Sequence, residues 1–206
     1  MNFFGHALAA LTHDDDPHFV LGAMLPDFAP MAGARIAEVR EPTLAGGVAH
    51  HHETDRRFHA NASFIALCKD ALTQLTAAGC SRASARAVGH VGSELLLDGL
   101  LSRDREARAV YGRALRLGVD HHLARSIEWQ QGEAQQLHRL LVRLEDAPVP
   151  EAYEEPAFVA DRLQHILKRR PRLALQPQDQ PHVQAWLTRA RECLEGSHHE
   201  ILQALR

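Results

Sequence analysis

The sequence predicts an all-α fold: a single compact helical domain of about seven or eight helices spanning residues 1–206. Three observations lead there. Alanine, leucine and arginine recur along the chain while aromatics make up only 5% of it, a balance that favours helices over strands built from aromatic and β-branched residues. Apolar residues return with a 3.6-residue period in the longer segments. Proline and glycine punctuate those segments at intervals that suit helix ends.

The elements follow in order. Phe3 to Leu11 reads as a short helix closed by the polar turn His13 to Pro17, and Phe19 to Leu25 as a second one ending at Pro26-Asp27-Phe28-Ala29-Pro30. Pro42 opens a longer helix to about Leu75, weakened near its start by Gly46-Gly47. After the break at Gly79-Cys80, Ser81 caps a helix running through Leu95-Leu96-Leu97 to Leu101, and Ser102 or Asp104 caps the next, which extends past Leu117. Leu137, Leu140, Leu141 and Leu144 mark another helix before the linker-like Pro148 to Pro150. Pro156 opens a helix striped by Val159, Leu163, Ile166 and Leu167 and ended by Pro171, and Pro181 opens the last, whose apolar period reaches Leu205.

Composition narrows the function classes. A formal net charge of -3 and a pI near 6.6 give no field for sequence-independent binding to nucleic acid or anionic lipid, so neither nucleic acid nor a membrane is an expected partner. Cys68, Cys80 and Cys193 are odd in number and scattered, unlike a disulfide framework or a metal-binding pair, and read as small core residues. The first residues lack a basic start before Asp14-Asp15-Asp16, which excludes an export signal or a span on this pattern and makes the cytoplasm the expected location. What stands out is 15 histidines.

Their spacing carries the chemistry. Taken as helix, His51, Asp55 and His59 fall at i, i+4 and i+8, forming one ridge, with Asp55 and His59 within about 20° of the line through Val48 and Ala66. On the next ridge Glu94 and Asp98 align with Ala87, Val91 and Leu101, and His90 stands one turn before Glu94. Inward carboxylates need hydrogen bonds, cations or a metal to offset the several kcal/mol that an unpaired buried charge costs. Imidazole and carboxylate facing each other across packed helices form the ligand set of zinc, manganese or iron. The expected metal ligands are therefore His6, Asp27, His51, Asp55, His90, Glu94 and Asp98, and the expected catalytic residues are Asp27, Asp55 and His59. His52, off the ridge, faces substrate or solvent. His121-His122 and His198-His199, without a carboxylate ridge, read as solvated or helix-capping.

Two basic clusters remain. Arg103, Arg105, Arg108, Arg113 and Arg116 read as a solvated helix face. Lys168, Arg169, Arg170 and Arg172 read as a docking patch for phosphate or an acidic partner, and Arg169, Arg170 and Arg172 join His52 as substrate-binding candidates.

Met1-Asn2-Phe3-Phe4-Gly5-His6, Met24-Leu25-Pro26-Asp27-Phe28, Gly46-Gly47-Val48 followed by His51-x-x-x-Asp55-x-x-x-His59, Glu94-x-x-x-Asp98-x-x-Leu101 and Arg169-Arg170-Pro171-Arg172-Leu173 together resemble the acyl carrier protein phosphodiesterase family. The resemblance covers about the first 105 residues and the stretch 169–173. It implies an all-helical fold related to the HD-type metal-dependent phosphohydrolases, a divalent metal, Mn²⁺ first with Fe or Zn as alternatives, and hydrolysis of the phosphodiester joining 4'-phosphopantetheine to a serine of holo-acyl carrier protein. By position, the family's motif residues fall on Asp27, on His51 and Asp55, and on Glu94 and Asp98. The chain departs from the family pattern at His52, Phe58-His59, Glu94 and Gly99, where the family has Arg, Thr-Asp, Asp and His.

Three functions remain open at this point: a metal-dependent phosphodiesterase acting on holo-acyl carrier protein, a phosphohydrolase acting on another phosphoester such as a nucleotide or a phospholipid head group, and a non-catalytic helical adaptor binding an acidic carrier protein. The oligomeric state is left open by the sequence.

Overall fold

A computed structural model describes the backbone of residues 1–119, 123–147 and 150–205, and its architecture is helical with one small antiparallel sheet. In chain order the elements are α1 (Phe3–Leu11), α2 (Pro17–Met31), β1 (Arg35–Val39), α3 (Pro42–Ala60), α4 (Ala62–Ala77), α5 (Arg82–Ala87), a π-helical segment (Val88–Gly92), α6 (Ser93–Leu101), α7 (Arg105–Val119), β2 (Ile127–Gln131), α8 (Ala134–Asp146), α9 (Pro156–Leu167) and α10 (Gln180–Gln203). No helix among the described residues is long and apolar enough to cross a membrane.

The chain divides into two compact units, Met1–Arg57 with Asp104–Val149 and Leu205–Arg206, and Phe58–Arg103 with Pro150–Ala204. In the first unit α2 packs on α1, α7 and α8, and α7 on α1 and α8. Phe3, Phe4, Phe28 and Tyr111 bring their rings together there, with centroids 5.4 to 6.1 Å apart. The sheet belongs to the same unit: β1 pairs antiparallel with β2, Val39 opposite Ile127 and Ile36 opposite Trp129. In the second unit α10 packs on α4, α6 and α9, burying Val183, Trp186, Leu187, Ala190 and Leu194 along one stripe.

The observed elements differ from the expected ones in four places. The helix expected to end at Leu25 runs on to Met31 through Pro26 and Pro30, so Asp27 stands on a helix and not in a turn. Burial of Met24, Leu25, Phe28 and Ala29 outweighs the roughly 3 kcal/mol that an interior proline costs. The segment expected as one helix from Pro42 divides at Asn61, whose side chain accepts from the amides of Ser63 at 2.9 Å and Phe64 at 3.3 Å and caps α4. The helix begun by Ser81, which accepts from the Ser84 amide at 3.0 Å as expected, carries the π-helical segment in its middle. Finally, β1 and β2 have no counterpart in the sequence reading; alternation in Ile127-Glu128-Trp129 is their local signal, and five residues are too few to separate it from a loop.

Asp104 caps α7, accepting from the Ala107 amide at 3.0 Å. Of the cysteines, Cys80 is buried, Cys68 half-buried and Cys193 exposed, so only Cys80 fits the core role expected of all three. Burial pushes the thiols of Cys68 and Cys80 up to about 11, which makes both poor nucleophiles at neutral pH. His121, His122 and the Pro148 end of the expected linker lie outside the described residues.

Candidate functional site

In the first unit the site starts from two glycines. A Cβ on Gly22 of α2 would lie 2.2 Å from the Leu44 carbonyl oxygen, and one on Gly47 of α3 would lie 2.1 Å from the Phe19 carbonyl oxygen and 2.8 Å from the Gly22 Cα. Only glycine at both positions lets the backbones of α2 and α3 approach this closely. Gly47, which weakens the helix by propensity, therefore has a packing role.

That approach sets up His51. The Ala23 carbonyl of α2 accepts a hydrogen bond from His51 Nδ1 at 2.8 Å. A carbonyl only accepts, so Nδ1 carries the hydrogen and the lone pair of the ring sits on Nε2. His51 is 6% exposed; burial first, and the neighbouring His6 second, hold its pKa down to about 3. It is neutral at pH 7, the form a metal ligand requires.

His6, on α1 and fully buried, is held in the same tautomer by a side chain the sequence reading passed over. Thr54 Oγ1 donates to the backbone carbonyls of His50 and His51 at 2.9 and 3.1 Å, so towards His6 it accepts, from Nδ1 at 3.3 Å. The His6 lone pair is then on Nε2, 3.6 Å from Asp55 Oδ1. The two rings stack with centroids 3.8 Å apart. His6, Asp27 and His51 each offer a ligand atom within 4.8 Å of the others. Asp55, half-buried, also accepts from the Met1 ammonium at 2.9 Å.

Thr54 was legible in the burial pattern of α3 but not in its composition. Leu44, Gly47, His51, Thr54 and Phe58 are the buried line of this helix, whereas Val48 is half-buried and Ala66, beyond the break at Asn61, is exposed. The ridge reading took the line through Val48 and Ala66 as core-facing. His51 lies on the true inward line, and Asp55 and His59 flank it.

In the second unit the structure brings together His59 from the last turn of α3, His90 from the π-helical segment and Glu94 from α6. Glu94 Oε1 lies 3.3 Å from His90 Nε2 and 3.8 Å from His59 Nε2, and the two rings stack with centroids 4.8 Å apart. The side chains of His59, His90 and Glu94 are 33%, 47% and 13% exposed. Burial works to raise the Glu94 pKa, yet its neighbours, led by the His90 hydrogen bond, outweigh burial and hold it below the usual value. Phe64 packs its ring edge against both imidazoles, at 5.3 and 5.4 Å.

Asp98, one turn further along α6, is fully buried and is not among the three side chains whose ligand atoms meet at Glu94. Beside it, a Cβ on Gly99 would lie 2.4 Å from the Tyr153 carbonyl carbon and the Glu154 amide nitrogen, in the 3-10 turn Pro150–Glu154. The histidine that the resembled family carries here does not fit against that turn. Tyr153 is raised by burial, with Arg162 lowering and the Asp98 charge raising it.

The remaining expected residues are on the surface. His52 is exposed, its ring edge-on to His51 at 5.3 Å. Arg169, Arg170 and Arg172 are exposed in the turns after α9, as are Arg103, Arg105, Arg113 and Arg116, with Arg103 paired to Glu154 at 2.7 Å and Glu195 at 2.9 Å. No family model, no curated protein and no solved structure matches this chain.

Proposed function

We propose that the protein is a metal-dependent phosphodiesterase whose centre is built on His6, Asp27, His51 and Asp55, and that its substrate is a phosphopantetheinylated acyl carrier protein. One observation carries the reading: two buried imidazoles fixed with Nδ1–H turned to Thr54 and to the Ala23 carbonyl, and with Nε2 lone pairs beside carboxylates. Imidazole nitrogens and carboxylates brought together in this way are the donor set of a transition ion, and Asp55 beside them already meets one cation, the Met1 ammonium. The substrate class follows the resemblance to the acyl carrier protein phosphodiesterases, and so does the choice of Mn²⁺ as the first ion to try.

His6, Asp27 and His51 would hold the ion, with Asp55 beside them. A divalent ion held there would supply an acidified water and offset charge on the phosphoryl oxygens. Asp55, more exposed than His6 and His51, would serve as the proton-accepting carboxylate at the edge of the centre. Thr54 and the Ala23 carbonyl keep the two rings in register with Nδ1 turned away from the ion. The exposed Arg169, Arg170 and Arg172 suit an acidic carrier helix through contacts that weaken with salt.

The test incubates purified protein with Mn²⁺ and holo-acyl carrier protein and follows the mass loss of the prosthetic group, with bis-p-nitrophenyl phosphate as a generic substrate. Asp27→Ala and Asp55→Ala are each expected to abolish turnover of both while the circular dichroism stays helical. Cleavage of the generic diester alone removes the carrier protein and leaves another phosphoester as substrate. No cleavage of either with any divalent metal leaves the adaptor.

A further inference from the structure

The His59, His90 and Glu94 group was expected to divide its labour, His59 moving protons while the other two held metal. Its geometry gives the three side chains one task. A tetrahedral ion with bonds of about 2.0 to 2.1 Å sets its ligand atoms roughly 3.3 Å apart. His90 Nε2 and Glu94 Oε1 already stand at 3.3 Å, and His59 Nε2 is 3.8 Å from the same oxygen. All three side chains offer ligand atoms within 4.8 Å of one another, so ring adjustments with the backbone in place close the set on one ion.

The backbone explains why the atoms converge. His90 and Glu94 are four residues apart, about one helix turn, which puts them on one face. His90 stands in the π-helical segment Val88–Gly92, a wider turn closed by i to i+5 bonds, and Glu94 in the first turn of α6. Gly89 lets that wider turn seat on α4, since a Cβ there would lie 2.7 Å from Ala71 Cβ and 3.3 Å from the Cys68 Cα. His59 then arrives from α3, held by Phe58 and Phe64, whose rings lie 5.4 and 5.3 Å from its own.

We propose that His59, His90 and Glu94 form a Zn²⁺ site, with His59 as a ligand. Two imidazoles and one carboxylate are a donor set that borderline transition ions accept, and Zn²⁺ holds such donors more tightly than Mn²⁺ in the general affinity order. The exposed edge of His90 leaves the remaining coordination positions to water. This site is assembled within the second unit and does not rest on the hydrolase reading.

The experiment uses the full chain, stripped by dialysis against a chelator and titrated with Zn²⁺ in competition with a chromophoric chelator. His90→Gln and His59→Gln are each expected to bind one Zn²⁺ fewer per chain than the wild type. In the Co²⁺-loaded wild type, each substitution is expected to remove a band from the visible spectrum. Mn²⁺ in tenfold excess should leave the Zn²⁺ in place. His90 is half exposed, so its replacement leaves the core intact, and a melting curve matching that of the stripped wild type checks this. Wild-type stoichiometry and affinity in both variants overturn the site; wild-type binding in His59→Gln alone overturns the role of His59. Zn²⁺ uptake lost with these side chains, in a protein that cleaves no phosphodiester, sustains this site while the hydrolase reading falls.

Discussion

The two histidine groups contain the same donors and hold them in opposite ways. His6 and His51 are buried, and each ring is fixed by a hydrogen bond at Nδ1, to Thr54 in one case and to the Ala23 carbonyl in the other. His59 and His90 are partly exposed and lean on Glu94, on each other and on Phe64. Burial with a fixed tautomer makes His51 a neutral, prearranged ligand that is costly to protonate, whereas the second group stands open to water at its edge. Chemical identity of the donors does not set the behaviour of a site; the surrounding backbone does.

The largest effect expected from breaking this contrast comes from the glycines that seat each group. Gly22→Ala puts a methyl group 2.2 Å from a backbone oxygen, a clash that no rotamer change relieves. Its cost should reach or exceed the top of the roughly 1–3 kcal/mol range of overpacked cores, despite the gain in helix propensity. Gly89→Ala meets a side-chain methyl at 2.7 Å and should cost less. Urea denaturation of the two variants, paired with Zn²⁺ stoichiometry, should show Gly22→Ala losing ion at His6, Asp27 and His51, and Gly89→Ala losing it at His59, His90 and Glu94. The reverse assignment would mean that the glycines do not position the groups.

A smaller effect concerns pH. The His51 pKa falls from 6.5 in its ordinary state to about 3 in the fold. The unfolded chain therefore takes up a proton below 6.5 that the folded chain refuses, and stability present above that pH is lost as pH falls towards 3. In metal-free protein this amounts to about 2 kcal/mol between pH 6.5 and 5 from this one group. His51→Gln should flatten that part of the stability curve, measured by urea titration at each pH; an unchanged slope would show that His51 is not buried neutral. The smallest effect is expected at His199, exposed near the end of α10, where His199→Ala should leave turnover, Zn²⁺ stoichiometry and melting temperature unchanged.

Much of both groups was legible as spacing. His51 with Asp55, and His90 with Glu94, are i, i+4 pairs, and the caps at Ser81 and Asp104 are local hydrogen bonds between residues three apart. Such relations depend on a helix turn and little else, so a sequence carries them in plain form. The break at Asn61 was visible in residue type but hidden by continuous apolar periodicity, and with it went the inward line of α3.

The sequence by itself therefore determined the helical class, most helix ends, and the histidine and carboxylate pairs from which the two candidate sites are built. The tertiary structure decided which of those residues meet: that His59 joins His90 and Glu94 while Asp98 stays outside that group, and that Thr54 and the Ala23 carbonyl fix the rings. It also decided that Gly99 stands where a histidine has no room. The physical reason is range. Helix periodicity and capping act within a turn of the chain, whereas the approach of Gly22 to Leu44, or of Gly99 to Tyr153, is a steric relation between residues 22 and 54 positions apart, which no local pattern records.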